Sequence, residues 1–261
     1  MSFEIICKDK KTNARIGKLK TKSGTAETPF FMPVATRAVT KGLTSEELHK
    51  MGVQSVISNS LILYLRNGSE IIKKLGGIRK FMHHKGINFT DCGGFQMYSK
   101  QIYINSTDDG VQFRNPINGE KLFITPEKDM QIQLDIDSDV AMSLDSMPMY
   151  EHSKKEIADA VEKTNMWAKR CKAYHDKAQE KIPKEKRQIL FGINQGGIYE
   201  DLREKSINEL PPRCREVFLL SRNQELSYRE ISEKLTITES TVNTQITKAL
   251  NYLRKKIENY F

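Results

Sequence analysis

Two rhythms of hydrophobic and polar positions run along the first four-fifths of this chain, and their alternation predicts its elements. Short apolar runs end in polar residues or glycine, and stretches with apolar residues three and four apart follow them. Residues 27–35 read as a buried strand ended by a loop. Thr44 and Glu47 form a capping box for a helix through Leu48 to Met51. Residues 53–58 read as a strand, Ser69 to Leu75 as a helix, and residues 87–90 as a strand running into Asp91. From Ile102 to Phe123 the pattern changes to short alternating runs separated by turn residues, an antiparallel insertion. Thr125, Pro126 and Glu127 open a helix that runs to about Asp135. Residues 140–144 form a strand ending at Asp145, Ser153 and Glu156 cap a long helix through Ala178, and residues 188–193 form a strand ending at Asn194 and Gln195. Strands each followed by a helix indicate a parallel α/β sheet or barrel, whose sites form at the carboxyl ends of the strands.

The last stretch reads differently. Pro211 and Pro212 open one helix, Ser227 and Glu230 cap a second, and Thr238 caps a third. Val242, Ile246, Leu250, Leu253 and Ile257 lie four, four, three and four apart, the spacing of an amphipathic helix. A short helix, a tight turn and a longer helix make a helix-turn-helix. The predicted organisation is two domains, 1–206 and 207–261.

Composition narrows the class. The chain is 38% hydrophobic and 29% charged over 261 residues, which excludes a wholly disordered or collagen-like chain. Lys and Arg number 42 against 33 Asp and Glu, a net charge of +9. That surplus fits either an anionic partner, nucleic acid first, or simple solubility. The tail holds nine Lys and Arg against seven Glu, so +7 of the charge lies on residues 1–206. Cys7, Cys92, Cys171 and Cys214 form no CxxC pair, so no zinc spacing is visible. The start carries acid and base without a long apolar core, and no apolar run approaches the roughly 20 residues of a membrane span. A reduced, cytoplasmic protein without membrane association is expected.

Asp91-Cys92-Gly93-Gly94-Phe95-Gln96 sets a carboxylate at a strand end before two glycines that allow close approach. Asp145 and Gln195 add a second carboxylate and an amide. A carboxylate can accept from N1–H and N2–H of guanine, and an amide can serve O6 or N7, with Phe95 available to stack. The same residues also suit turns and caps. Asp135, Asp137 and Asp139 resemble the start of a calcium loop, but Val140 and Ser146 stand where glycine and glutamate are needed, so no calcium site is expected. His83 and His84 lack metal-ligand partners and read as solvent-facing. Trp167 reads as a packing residue, and the basic stretch from Lys154 to Arg187 as a solvated face in preference to a dedicated RNA groove.

Residues 14–206 resemble the N-terminal part of the tRNA-guanine transglycosylases, the queuine/archaeosine tRNA-ribosyltransferase family. The resemblance rests on Thr-Pro-Phe-Phe-Met-Pro-Val at 28–34 and Asn-Ser-Leu-Ile-Leu-Tyr-Leu-Arg-Asn-Gly at 59–68. It continues through Phe89 to Gln96, Gly110 to Gly119, Thr125 to Glu127, Ser138-Asp139 and Leu190 to Gly197, in family order. It implies a TIM-type (β/α) barrel, here partial, that exchanges guanine in tRNA for a 7-deazaguanine through a covalent aspartyl intermediate. Asp91 then resembles the acid/base aspartate, Asp145, Gln195 and Gly196 the purine-binding residues, and Phe95 the stacking aromatic. The family's nucleophilic aspartate and its zinc site of three cysteines and one histidine lie later and have no counterpart in 207–261. The resemblance therefore implies a chain without cofactor and without exchange activity of its own. Asp145-Ser146-Met147-Pro148 also departs from the family's usual run there.

The tail resembles region 4 of extracytoplasmic-function sigma factors over 208–220, 226–242 and 246–254. That resemblance implies promoter DNA and RNA polymerase as partners. Glu239, Ser240, Thr241, Asn243 and Thr244 would face the DNA, and Lys248, Arg254 and Lys255 the phosphates. Ser232 and Thr236 depart from the small residue and the glycine usual in that motif. A fusion of two gene fragments joined near 206–210 is a further reading.

Overall fold

A computed structural model of the chain describes residues 2–10, 12, 14–149 and 151–210. The helix-turn-helix expected in the tail lies, from residue 211 onward, outside the described residues.

The chain begins with an antiparallel meander, β1 (Ser2–Lys8), β2 (Arg15–Lys20) and β3 (Thr25–Thr28), in the order β1-β2-β3. Hydrophobic patterning shows no strand over β1 and β2, because exposed Ile6 and Ile16 stand among charged residues at outward positions and blur the alternation. On β2, Gly17 and Leu19 face inward. A Cβ on Gly17 would lie 2.6 Å from the Phe3 ring, so glycine lets that ring cross the strand.

The buried strand expected at 27–35 is corrected. β3 ends at Thr28, and Phe31 and Val34 are 82% and 64% exposed. Pro29 and Pro33 lack the N–H groups a ladder needs. Only a short stretch reaches the next strand, where Ala35 N–H donates to Ile57 O at 2.7 Å and Ile57 N–H to Pro33 O at 3.2 Å.

From there strands and helices alternate. Thr44 caps α1 (Ser45–Lys50) with the expected capping box. β4 (Ser55–Asn59) leads directly into α2 (Ser60–Asn67), and α3 (Ser69–Lys74) and α4 (Ile78–Met82) precede β5 (Ile87–Asp91). A short 3₁₀ helix spans Gly94–Tyr98. The expected insertion is an antiparallel sheet of β6 (Tyr103–Thr107), β7 (Gly110–Arg114) and β8 (Lys121–Ile124). Then come α5 (Pro126–Ile136), β9 (Val140–Met142), α6 (Lys154–Ala178), β10 (Ile189–Phe191) and α7 (Glu200–Glu209). The predicted domain boundary after Ser206 falls inside α7.

β4, β5, β9 and β10 form one parallel sheet in the order β10-β9-β5-β4, so strands consecutive within this sheet are spatial neighbours. Its two faces follow the period of two. Ile57, Ile87, Phe89, Val140, Met142, Ile189 and Phe191 pack with Leu19, Ala26, Phe30 and Met32 of the N-terminal segment. Phe89 sits between Phe30 and Phe191, with ring centroids 6.2 and 6.1 Å away. On the opposite face Val56, Ala141 and Leu190 join the helical core around Leu63, Met130, Ile136 and Trp167. No helix among the described residues is long and apolar enough to cross a membrane.

His84 is a second correction. His83 is exposed, but His84 is buried, and neither of its ring nitrogens has a partner among the described residues. His83 ends α4 in the left-handed conformation, and that reversal turns the next side chain inward. Burial lowers the proton affinity of His84, helped by the Arg79 charge.

Trp167 packs as expected: it is fully buried, and its Nε1–H donates to Asp108 O at 2.7 Å. Trp167→Phe should destabilise the chain by about 1–2 kcal/mol through the unpaired carbonyl and lost volume. Trp167→Ala should lose roughly 3–5 kcal/mol. Urea unfolding midpoints check both, and equal losses would contradict the separate contribution of the hydrogen bond.

Candidate active site

The site sits one layer above the apolar face of the parallel sheet. Asp91 follows Phe89 by two residues and Asn59 follows Ile57 by two, so both emerge on that face at the carboxyl ends of adjacent strands. Asn59 caps α2, its Oδ1 accepting from Ile62 N–H at 2.8 Å. Its Nδ2 donates to Gln96 Oε1 at 2.8 Å. Asp91 Oδ1 accepts from Gly93 N–H at 2.9 Å, and the Asn59 side chain bonds it as well. Burial raises Asp91 to about 6 against those two bonds, and the neighbouring Asp145 charge adds to the rise.

Asp145 is held at both oxygens. Oδ1 accepts from the Cys92 S–H at 3.0 Å, and Oδ2 accepts from Gln195 Nε2–H at 2.6 Å. Burial raises its pKa and the two donors oppose that rise. The thiol of Cys92 is itself pushed well up by burial and by nearby carboxylates, so it stays a neutral donor. Gly94 makes the arrangement possible, because a Cβ there would lie 2.1 Å from Asp145 Oδ1.

Gln195 is positioned from α7. Its backbone N–H donates to Ser206 Oγ at 3.1 Å, and Ser206 is fully buried. Gly196 has φ +122, and a Cβ on it would meet the Arg203 backbone at 2.6 Å. Phe95 is 65% exposed and meets Tyr98 edge-on, with centroids 5.2 Å apart. The structure thus brings Asp91, Asp145, Gln195 and Gly196 to one end of the sheet, with Phe95 on the 3₁₀ helix that follows Asp91. Glu239, Ser240, Thr241, Asn243, Thr244 and Lys248 lie outside the described residues.

Sequence reasoning missed three contributors. Asn59 enters only as the start of the family-like segment 59–68, and it is also the N-cap of α2. Cys92 sits inside the motif, but no spacing signals that its thiol meets Asp145. Asp129 looks like a first-turn acid of α5, yet it is fully buried with Gln133 Nε2–H donating to it at 2.9 Å. Burial raises Asp129 well above the usual range. Gln133 ties this carboxyl to the strand ends: its Oε1 accepts from Met142 N–H at 3.1 Å and from the Thr90 hydroxyl at 2.8 Å. Among the described residues no three His, Cys, Asp or Glu side chains are arranged to hold a metal ion.

Two carboxyls and an amide are thus gathered at the carboxyl ends of the parallel strands of an α/β protein, beside an exposed aromatic. Comparison with known proteins gives the family. The family model described as queuine tRNA-ribosyltransferase matches residues 9–243. The chain is 44% identical over 210 residues to the queuine tRNA-ribosyltransferase of Pelotomaculum thermopropionicum, covering 80% of this chain and 55% of that protein. It is 43% identical over 208 residues to that of Lysinibacillus sphaericus, covering 80% and 53%. The chain belongs to the queuine tRNA-ribosyltransferase family, and it spans about half the length of the curated relatives it matches.

The raised Asp91 has a consequence for stability. The folded chain binds this proton more tightly than the unfolded chain, so stability falls as pH rises from about 4 through about 6. Asp91→Asn keeps an acceptor for Gly93 N–H and removes the charge. It should raise the melting temperature at pH 7.5, by up to roughly 2–3 kcal/mol of stability, with the gain shrinking toward pH 4.5. Thermal melts at the two pH values check this, and a gain of equal size at both would contradict the buried charge.

Proposed function

We propose that this chain is the base-recognising part of a tRNA-guanine transglycosylase. The observation that carries the reading is the Asp145 carboxylate, fixed by Cys92 and Gln195 and adjoining Asp91. In this reading guanine or a 7-deazaguanine lies against Phe95 with its N1–H and N2–H toward Asp145, whose oxygens keep free lone pairs beside the two donors. Gln195 and the backbone at Gly196 serve the other polar edge. Asp91, raised into the range where it can both take and give a proton, handles the proton of the departing or arriving base. The tRNA supplies the ribose.

The sequential order of the parallel strands supports reading the sheet as the first part of a (β/α) barrel. The rest of the reaction needs a second aspartate as nucleophile, later in the chain than Gln195. The last aspartate in this sequence is Asp201, on α7, where it pairs with Lys154 at 2.8 Å. Residues 196–261 also hold one cysteine and no histidine, which does not fit a zinc set of three cysteines and one histidine. We therefore expect these 261 residues to bind the base without exchanging it.

Calorimetry with guanine and a filter assay with labelled guanine and unmodified tRNA test both halves. Guanine should bind, and Asp145→Asn should weaken it tenfold or more, since a bond to a charged group contributes roughly 1.5–3 kcal/mol. Label should not enter tRNA. No guanine binding by the natural chain would overturn base recognition, and label entering tRNA at enzyme-like rates would overturn the expected inactivity.

A further inference from the structure

A second charged feature lies at the other end of the strands. Lys20 at the end of β2 and Thr21 and Lys22 from the turn to β3 line one cavity with Lys184, Glu185 and Arg187 from the segment entering β10. Ile189 also lines this cavity, whose volume is about 280 Å³. A neighbouring depression shares Lys184, Arg187 and Ile189 and continues past Lys172, Asp176 and His175. Ile189 begins β10 and Gln195 follows it by six residues, so roughly 20 Å of extended chain separates this groove from the base pocket.

Its charges are unevenly satisfied. Lys22 is paired with Asp137, and Lys172 with Asp176. Lys20 and Lys184 are exposed and have no ion pair among the described residues. Arg187 is held by two main-chain carbonyls, Nε–H donating to Ile182 O at 2.7 Å and Nη2–H to Glu180 O at 2.9 Å. Those bonds fix the guanidinium plane and leave Nη1 for a ligand. Glu185 is the one acid lining the cavity with these four cations. The groove is therefore electropositive, and its one fixed guanidinium is the group that matches phosphate oxygens.

We propose that this groove is a second contact for the phosphodiester backbone of RNA, remote from the base pocket. Exposed lysines around one fixed arginine suit phosphates that are positioned rather than read. Two depressions joined through Lys184, Arg187 and Ile189 suit a strand better than a single small anion. The inference rests on the reading of tRNA as substrate, and a tRNA is long enough to meet both ends of the strands.

The test is tRNA binding by the full chain over a range of salt, with guanine binding measured on the same proteins. The variant is Lys20→Glu with Lys184→Glu, both exposed and both outside the base pocket. It should weaken tRNA binding at least tenfold at low salt. It should also flatten the plot of log Kd against log salt by about one to two, since each phosphate contact contributes about 0.9. Guanine affinity should be unchanged. Lys20→Gln with Lys184→Gln should give a smaller change in the same direction. A charge-matched pair, Lys50→Glu with Lys74→Glu, should leave the slope near that of the natural chain. Unchanged tRNA affinity and slope, with guanine binding intact, would overturn the groove and leave the base reading standing. Inorganic phosphate saturating the groove at micromolar concentration, with tRNA unable to displace it, would overturn it in favour of a small phosphorylated ligand. Failure of the natural chain to bind guanine would count against the base reading alone.

Discussion

A carboxylate taken out of water is costly unless donors meet it, and the carboxyl end of this sheet takes three carboxyl groups out of water at once. Asp145 meets the requirement with one donor per oxygen, Asp91 with Gly93 N–H and Asn59, and Asp129 with Gln133. Three of these donors are in turn fixed by something else. Gln195 is held by Ser206 on α7, Asn59 by the start of α2, and Gln133 by the Met142 backbone. The elements around the sheet are thus arranged to hold charges that would otherwise neutralise or unfold their surroundings. The same arrangement leaves lone pairs and raised proton affinities available to a ligand.

That dependence explains where glycine is required. Gly94 lies so close to Asp145 that no side chain fits, and a Cβ on Gly196 would likewise run into the backbone of α7. It also gives Ser206 a role that composition could not reveal. Ser206 lies within α7, which runs on through Glu209, and this buried serine supports the amide of the site.

Much of the fold was legible because its strands and helices declare themselves by period and caps. Thr44, Thr125 and Ser153 cap their helices as their positions predict, and the insertion at 103–124 follows its turn residues. What escaped was set by tertiary contact. The first two strands carry apolar residues, Ile6 and Ile16, on their exposed side, which hides the alternation, and α2 starts without a break from β4. Proline spacing at 29 and 33 mimics a buried strand while removing the donors a strand needs. At the site, residue type and strand-end position drew attention to Asp91, Asp145 and Gln195. Asp129 could not be found that way, since one acid in the first turn of a helix looks like a favourable surface charge. Its burial comes only from the packing of α5 against the strand ends.

In the proposed function Asp145 is a clamped, desolvated carboxylate that receives the hydrogen-bond donors of a purine. Carbon-13 NMR of the Asp145 carboxyl, titrated with and without saturating guanine, tests it directly. A raised pKa is expected in the free chain, with a downward shift when guanine is bound, because new donors favour the charged form. An Asp145 titration near the ordinary aspartate value, or one unmoved by bound guanine, would contradict it.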